Sequence, residues 1–168
     1  YNKGDKNADA AKLISEDYQC TSCHLLNGNG LDRSINLNST GTRLKKEWIY
    51  ETILYPQKHI AQSTSMPMFF DENDEDSKAV VGSMTQYIYG RGKDELKQLD
   101  KKFKRAQKRF SETTSEQGKQ IFLSQNCISC HTMETETSWF SEHNAPDLSG
   151  QAMRTKKAWL LSYLQNPN

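Results

Sequence analysis

The sequence predicts an all-α chain of two tandem helical units joined by an amphipathic helix. Three observations predict it. A C-x-x-C-H motif occurs twice, as CTSCH at 20–24 and CISCH at 127–131. The stretch 36–56, NLNSTGTRLKKEWIYETILYP, aligns without a gap on 147–167, DLSGQAMRTKKAWLLSYLQNP, at a constant offset of 111 residues. Elsewhere apolar residues recur at spacings of three and four, the period of a helix with one buried face, and no strand-rich stretch is found.

Taken in order, residues 8–19 read as a short helix leading into the first motif. Residues 43–55 read as a second helix that starts near TGTR and stops at Pro56. Residues 57–70 form a loop bearing Met66 within SMPMFF, and 73–89 form a third helix with Val80, Val81, Met84, Tyr87 and Ile88 on one face. The acidic run DENDED at its start suits the positive end of the helix dipole, and an acidic docking site is the alternative. Residues 93–110 carry Leu96, Leu99, Phe103, Ala106 and Phe110 at spacings of 3, 4, 3 and 4. Between Arg91 and Phe110 nine Lys or Arg face three acids, so the other faces are basic. Such a helix either packs its stripe on its own units or docks a partner subunit or an anionic surface. TTSEQ at 113–117 offers a capping box, Thr114 with Gln117, to open the next helix. The expected organisation is a first domain at 1–92, a connecting helix at 93–112 and a second domain at 113–168.

With 168 residues, 35% of them hydrophobic, two units of this size would have thin apolar cores. Small domains of that kind usually need a staple, metal or cofactor. The net charge of +1 argues against a general polyanion binder, so no nucleic-acid partner is expected. No apolar run is long enough to span a bilayer. The chain starts at Tyr1 and not Met, which reads as a mature or trimmed form.

All four cysteines lie in the two motifs. A structural zinc site would have to gather both pairs across about 100 residues. A thioredoxin-like dithiol would sit near a βαβ pattern, which is lacking. The reading taken is c-type haem attachment, in which two thiols add to the haem vinyl groups and the adjacent His ligates iron, with zinc or dithiol roles as alternatives. The repeat supports one haem per unit. Leu37 pairs with Leu148, Arg43 with Arg154, Lys45 and Lys46 with Lys156 and Lys157, Trp48 with Trp159, and Pro56 with Pro167. The cysteines are offset by 107, so the second copy has four extra residues between its motif and Leu148. The Met66–Pro67 pair has no second copy, because its equivalent falls nine residues beyond Asn168. The expectation is that the sequence stops short of it and that the second unit is incomplete.

A helix, C-x-x-C-H, a loop, a Trp-bearing helix, Met–Pro and a final helix together resemble the class I c-type cytochromes. The duplication resembles their bacterial dihaem members. The resemblance implies two covalently attached haem c groups. Cys20 and Cys23 would anchor the first with His24 on its iron, and Cys127 and Cys130 the second with His131. It implies Met66 as the distal ligand of the first haem, with Met68 as runner-up and His59 as a competitor. For the second haem, His143, Met133 and Met153 are the local candidates. Arg43, Trp48, Arg154 and Trp159 are the expected propionate partners. The other ring nitrogen of each ligating His should be held by a backbone carbonyl, at Ile35 and Pro146. The family's Gly and aromatic on the first helix are kept as Gly118 and Phe122 in the second unit, but the first unit has Ala11 and Ser15.

The function so implied is electron transfer between respiratory redox proteins, as a subunit or domain of a larger membrane complex and not as an enzyme. The compartment would be the periplasm or another extracytoplasmic face. The alternative is a dihaem peroxidase or other oxidoreductase with one open iron.

Overall fold

A computed structural model describes residues 6–59, 65–133 and 145–167, which form helices, turns and loops with no β-strand among them. The all-α expectation holds. The chain divides into two compact units, Tyr1–Gln98 and Leu99–Asn168.

In the first unit, α1 (Lys6–Lys12) widens into a π-turn over Leu13–Asp17. Its end is set by Tyr18, whose N–H returns to the Leu13 carbonyl, and by Gln19, which is left-handed at φ 49°. The helix expected at 43–55 is α3 (Lys46–Leu54), and a separate helix that the pattern did not predict, α2 (Leu37–Arg43), precedes it. Leu44 and Lys45 between them are extended, and Leu44 is buried in the core. Asn36 caps α2 by accepting from the Asn38 N–H. The expected loop at 57–70 begins instead with a helical turn, α4 (Pro56–His59), and residues 65–70 have no regular structure.

Helix α5 spans Glu75–Arg91, two residues later than the pattern suggested, because Asp74 is its cap. The Asp74 carboxylate accepts from the Ser77 N–H at 2.8 Å. Its buried face is Val81, Met84, Thr85 and Ile88, with Val80 and Tyr87 partly buried. Helices α1, α2 and α3 all pack on α5. Together with Ile14, Leu26, Leu37, Ile49, Leu54 and Phe70 they close one core. Fully burying a side chain such as Ile14 or Val81 contributes about 1.5–3 kcal/mol. Gly41 marks a close approach, since a Cβ there would lie 2.3 Å from the Tyr89 carbonyl oxygen.

Helix α6 (Lys93–Arg109) contains the boundary between the units. Its first turn is tied to the first unit by Thr42, whose buried hydroxyl lies 3.2 Å from the Gly92 carbonyl and 3.0 Å from Glu95 Oε2. Of its apolar stripe, Leu99 is buried, Leu96, Phe103 and Ala106 are half-buried, and Phe110, just past its end, is exposed.

The second unit opens with α7 (Ser115–Ser124), started by the predicted Thr114–Gln117 capping box. Helices α8 (Gln151–Arg154) and α9 (Lys157–Gln165) repeat the break between α2 and α3, with Thr155 and Lys156 extended. Burial does not repeat. Ile14, in the π-turn that continues α1, is 0% exposed, whereas its equivalent Ile121 in α7 is 62% exposed. Met153 and Leu164 are also exposed, while Thr155 and Ala158 are buried. A Cβ on Gly118 would meet nothing, so that glycine is not at a close crossing among the described residues.

Candidate functional site

Each C-x-x-C-H is folded by the same local rules. A left-handed residue, Gln19 or Asn126, turns the chain into a single 3₁₀ turn, Cys20–Ser22 or Cys127–Ser129. The N–H groups of Cys23 and His24 both reach the Cys20 carbonyl, at 3.1 and 2.9 Å. Those of Cys130 and His131 reach the Cys127 carbonyl, at 3.2 and 3.0 Å. All four cysteines are free, with Cys20 and Cys127 half-buried and Cys23 and Cys130 exposed. Burial, more than any other effect, holds the Cys20 thiol above its usual pKa.

The histidines are held as expected. His24 Nδ1 lies 2.7 Å from the Ile35 carbonyl oxygen, and His131 Nδ1 lies 2.7 Å from that of Pro146. A carbonyl can only accept, so Nδ1 carries the proton in both rings, and in the neutral ring the lone pair is on Nε2. The same loop is pinned a second time, just after each His. Leu37 N–H donates to the Leu25 carbonyl at 3.0 Å, and Leu148 N–H to that of Thr132 at 2.9 Å.

In the first unit the loop between His24 and Ile35 is built by residues that the pattern reading passed over. Asn27 and Gly28, at φ 54° and 79°, form a tight turn closed by reciprocal bonds between Leu26 and Asn29. Asn27 then ties the turn to its surroundings. Its amide nitrogen donates to the Tyr87 hydroxyl at 2.8 Å, its oxygen accepts from Arg91, and its backbone N–H donates to Asn38 Oδ1 at 3.0 Å. Gly30, at φ 98°, lets the chain pass over the motif, since a Cβ there would lie 2.3 Å from the His24 carbonyl oxygen. The Asn-Gly pair in NGNG was the available signal.

Met66 is half-buried in the 65–70 segment, whereas Met68 and Phe69 are exposed by about half. Phe70 is buried against Tyr18, ring centroids 4.7 Å apart. Arg43 ends α2 and is half-buried, and Trp48 in α3 packs against the core. Their equivalents lie on α8 and α9. Arg154 Nε donates to Gln151 Oε1 at 2.8 Å, and Trp159 stacks on Tyr163 at 4.9 Å. The break between the helices thus separates each expected Arg and Trp onto different elements. Met133 is half-buried, and Met153 is exposed on α8. The His59 side chain and all of His143 lie outside the described residues.

Among the described residues no group of three or more His, Cys, Asp or Glu is gathered as a metal ion would require. No helix among them is long and apolar enough to cross a membrane. Each site instead offers two free thiols on one turn and one imidazole with its ligating nitrogen available. That donor set fits covalent attachment of haem c and axial ligation of its iron. A family model described as Cytochrome c matches residues 115–168, from the start of α7 through α9. No curated protein and no solved structure matches the chain significantly. The match supports a c-type cytochrome, and with it covalent haem c and electron transfer.

Proposed function

We propose that the chain is a dihaem electron carrier, with one haem c on Cys20, Cys23 and His24 and another on Cys127, Cys130 and His131. The observation that carries this is the duplicated turn with each His Nδ1 locked on a carbonyl 2.7 Å away. The lock fixes the tautomer and the ring orientation, and it raises the basicity of Nε2. The family match supports the second site, and the internal repeat extends it to the first.

A haem so held supplies a one-electron Fe(III)/Fe(II) couple. The residues set how it is used. Met66 is the proposed sixth ligand of the first site, a neutral thioether that favours Fe(II) and raises the potential. Arg43 and Trp48, with Arg154 and Trp159, are the proposed partners of the propionates. The redox partners are proposed to be proteins of a membrane respiratory complex, met on its extracytoplasmic face.

Intact mass and visible absorption test this reading. Two haem increments and a Soret band are expected, and a colourless protein of unmodified mass would end it. The alternative reading is a dihaem oxidoreductase with one open iron. Carbon monoxide binding to the reduced protein separates the two: rapid binding at one haem supports the open site, and none supports the relay.

A further inference from the structure

Helix α6 carries an organised charge array that haem attachment does not use. Lys93, Lys97, Lys101, Lys104 and Lys108 follow one another at spacings of four, four, three and four. That rhythm puts them on one face. At 1.5 Å per residue the ridge is about 22 Å long. All five lysines are exposed. Lys97 pairs with Asp94 at 3.0 Å, and among the described residues no other ion pair is found on the ridge. Residues 101–109 hold six cations and no acid.

Three features separate this array from an ordinary solvated face. The helix is rooted, because Thr42 holds its first turn at Gly92 and Glu95. The charge is local, because the whole chain has a formal net charge of only +1. The opposite, apolar side is partly covered, with Leu99 buried, Leu96, Phe103 and Ala106 half-buried, and Phe110, past the helix end, exposed. Insertion of an amphipathic helix into a membrane interface needs a free apolar face, and along α6 that face is at least half-buried. Lysines act as mobile point charges that tolerate many geometries, which suits brief contact with a broad acidic surface better than capture of a single phosphate.

We propose that the lysine ridge of α6 is the docking surface for an acidic redox protein, which it draws in by long-range attraction and releases quickly. The proposal rests on the electron-carrier reading and names the chemistry of the partner. The test uses the full-length haem-loaded chain and a reduced flavodoxin as the acidic electron donor, followed by stopped flow. The bimolecular rate should fall about tenfold or more as salt rises from roughly 20 to 200 mM. Reversing the ridge with Lys101→Glu, Lys104→Glu and Lys108→Glu should lower the low-salt rate about tenfold and flatten the salt dependence. A charge-matched control, Lys12→Glu, Lys58→Glu and Lys157→Glu, should leave most of the rate intact. Equal loss in both triple variants, no loss in either, or tighter binding of phosphatidylserine vesicles than of flavodoxin would overturn the ridge. Binding of a labelled polyglutamate peptide, read by anisotropy, needs no haem. A colourless chain that still binds it through the ridge sinks the electron carrier alone. A coloured chain, reducible by dithionite but indifferent to polyglutamate, sinks the ridge alone.

Discussion

Ile14 and Ile121 are the same residue at the same place in the two copies, six positions before the first cysteine of each motif. One is wholly buried and the other is 62% exposed. Replacing each by Ala is therefore an internally controlled experiment. Ile14→Ala removes a side chain from a packed core, and a core Ile→Ala change costs about 2–5 kcal/mol in transfer and cavity terms. For a unit of roughly 100 residues each kcal/mol shifts Tm by about 4–8 °C, so a fall of about 10 °C or more is expected. Ile121→Ala opens no cavity. Its effect should stay within about 0.5 kcal/mol, and the better helix propensity of Ala offsets part of any loss. Hydrogen exchange read peptide by peptide assigns the effect to a unit. Protection across α5 should drop in the first variant and stay unchanged in the second. A loss at Ile121 as large as at Ile14, or a loss at Ile14 below about 1 kcal/mol, would refute the difference in burial from which the argument starts.

The two glycines give a similar contrast by thermal unfolding: Gly41→Ala should destabilise, because the new methyl meets Tyr89 backbone, whereas Gly118→Ala meets nothing and should stabilise α7 by up to about 1 kcal/mol. The Asp74 carboxyl is held below its usual pKa by hydrogen bonds from the Ser77 hydroxyl and then its amide. Its cap therefore stabilises α5 fully above the ordinary carboxylate range and is lost as pH falls through the lowered value; Ser77 amide protection should collapse there in the wild type, and Asp74→Ala should remove that step. In the haem-free chain the raised Cys20 pKa means that folding favours the protonated thiol, a contribution complete below the ordinary thiol pKa and lost as pH rises through the raised value. Alkylation of Cys20 by iodoacetamide should therefore lag that of an unfolded peptide at mildly alkaline pH and catch up only at higher pH, and coincident pH–rate profiles would contradict this.

What the sequence made legible was chemistry tied to local pattern. The two motifs, the carbonyls at Ile35 and Pro146 that meet the histidines, the Thr114 capping box and the apolar face of α5 are all set within a few turns of chain. What escaped was set from further away. No Gly or Pro marks the break after Arg43; Leu44 leaves the helix because the core takes its side chain, and Thr155 repeats the geometry from its own buried position. Ile14 is buried in a core that it shares with α5, which lies some sixty residues downstream of it. Asn27 is a different kind of miss. Its Asn-Gly signal was present, but its reach to Tyr87, Arg91 and Asn38 is a tertiary arrangement that no local rule contains.

On the proposed reading, the contrast between the copies bears on why two thiols would anchor each haem. In the first unit α5 gathers three helices, and the loop carrying Ile35 is tied to it through Asn27 and Tyr87. His24 is thus oriented by a framework that side chains hold closed. In the second unit, beyond Leu99 at its start, the described buried side chains are only Thr155 and Ala158, and α7 exposes the face that its counterpart buries. Ordering these helices still costs conformational entropy for every residue. A covalently attached macrocycle offers apolar surface to the native state and, being tethered, cannot be lost by dilution. The gain follows the rule that whatever favours the folded state over the unfolded one adds to stability. On the proposed reading, CISCH at 127–131 would therefore have a second task besides placing iron. It would supply to the second unit the interior that α5 supplies to the first, so that redox chemistry and folding there would depend on the same two sulfur–carbon bonds.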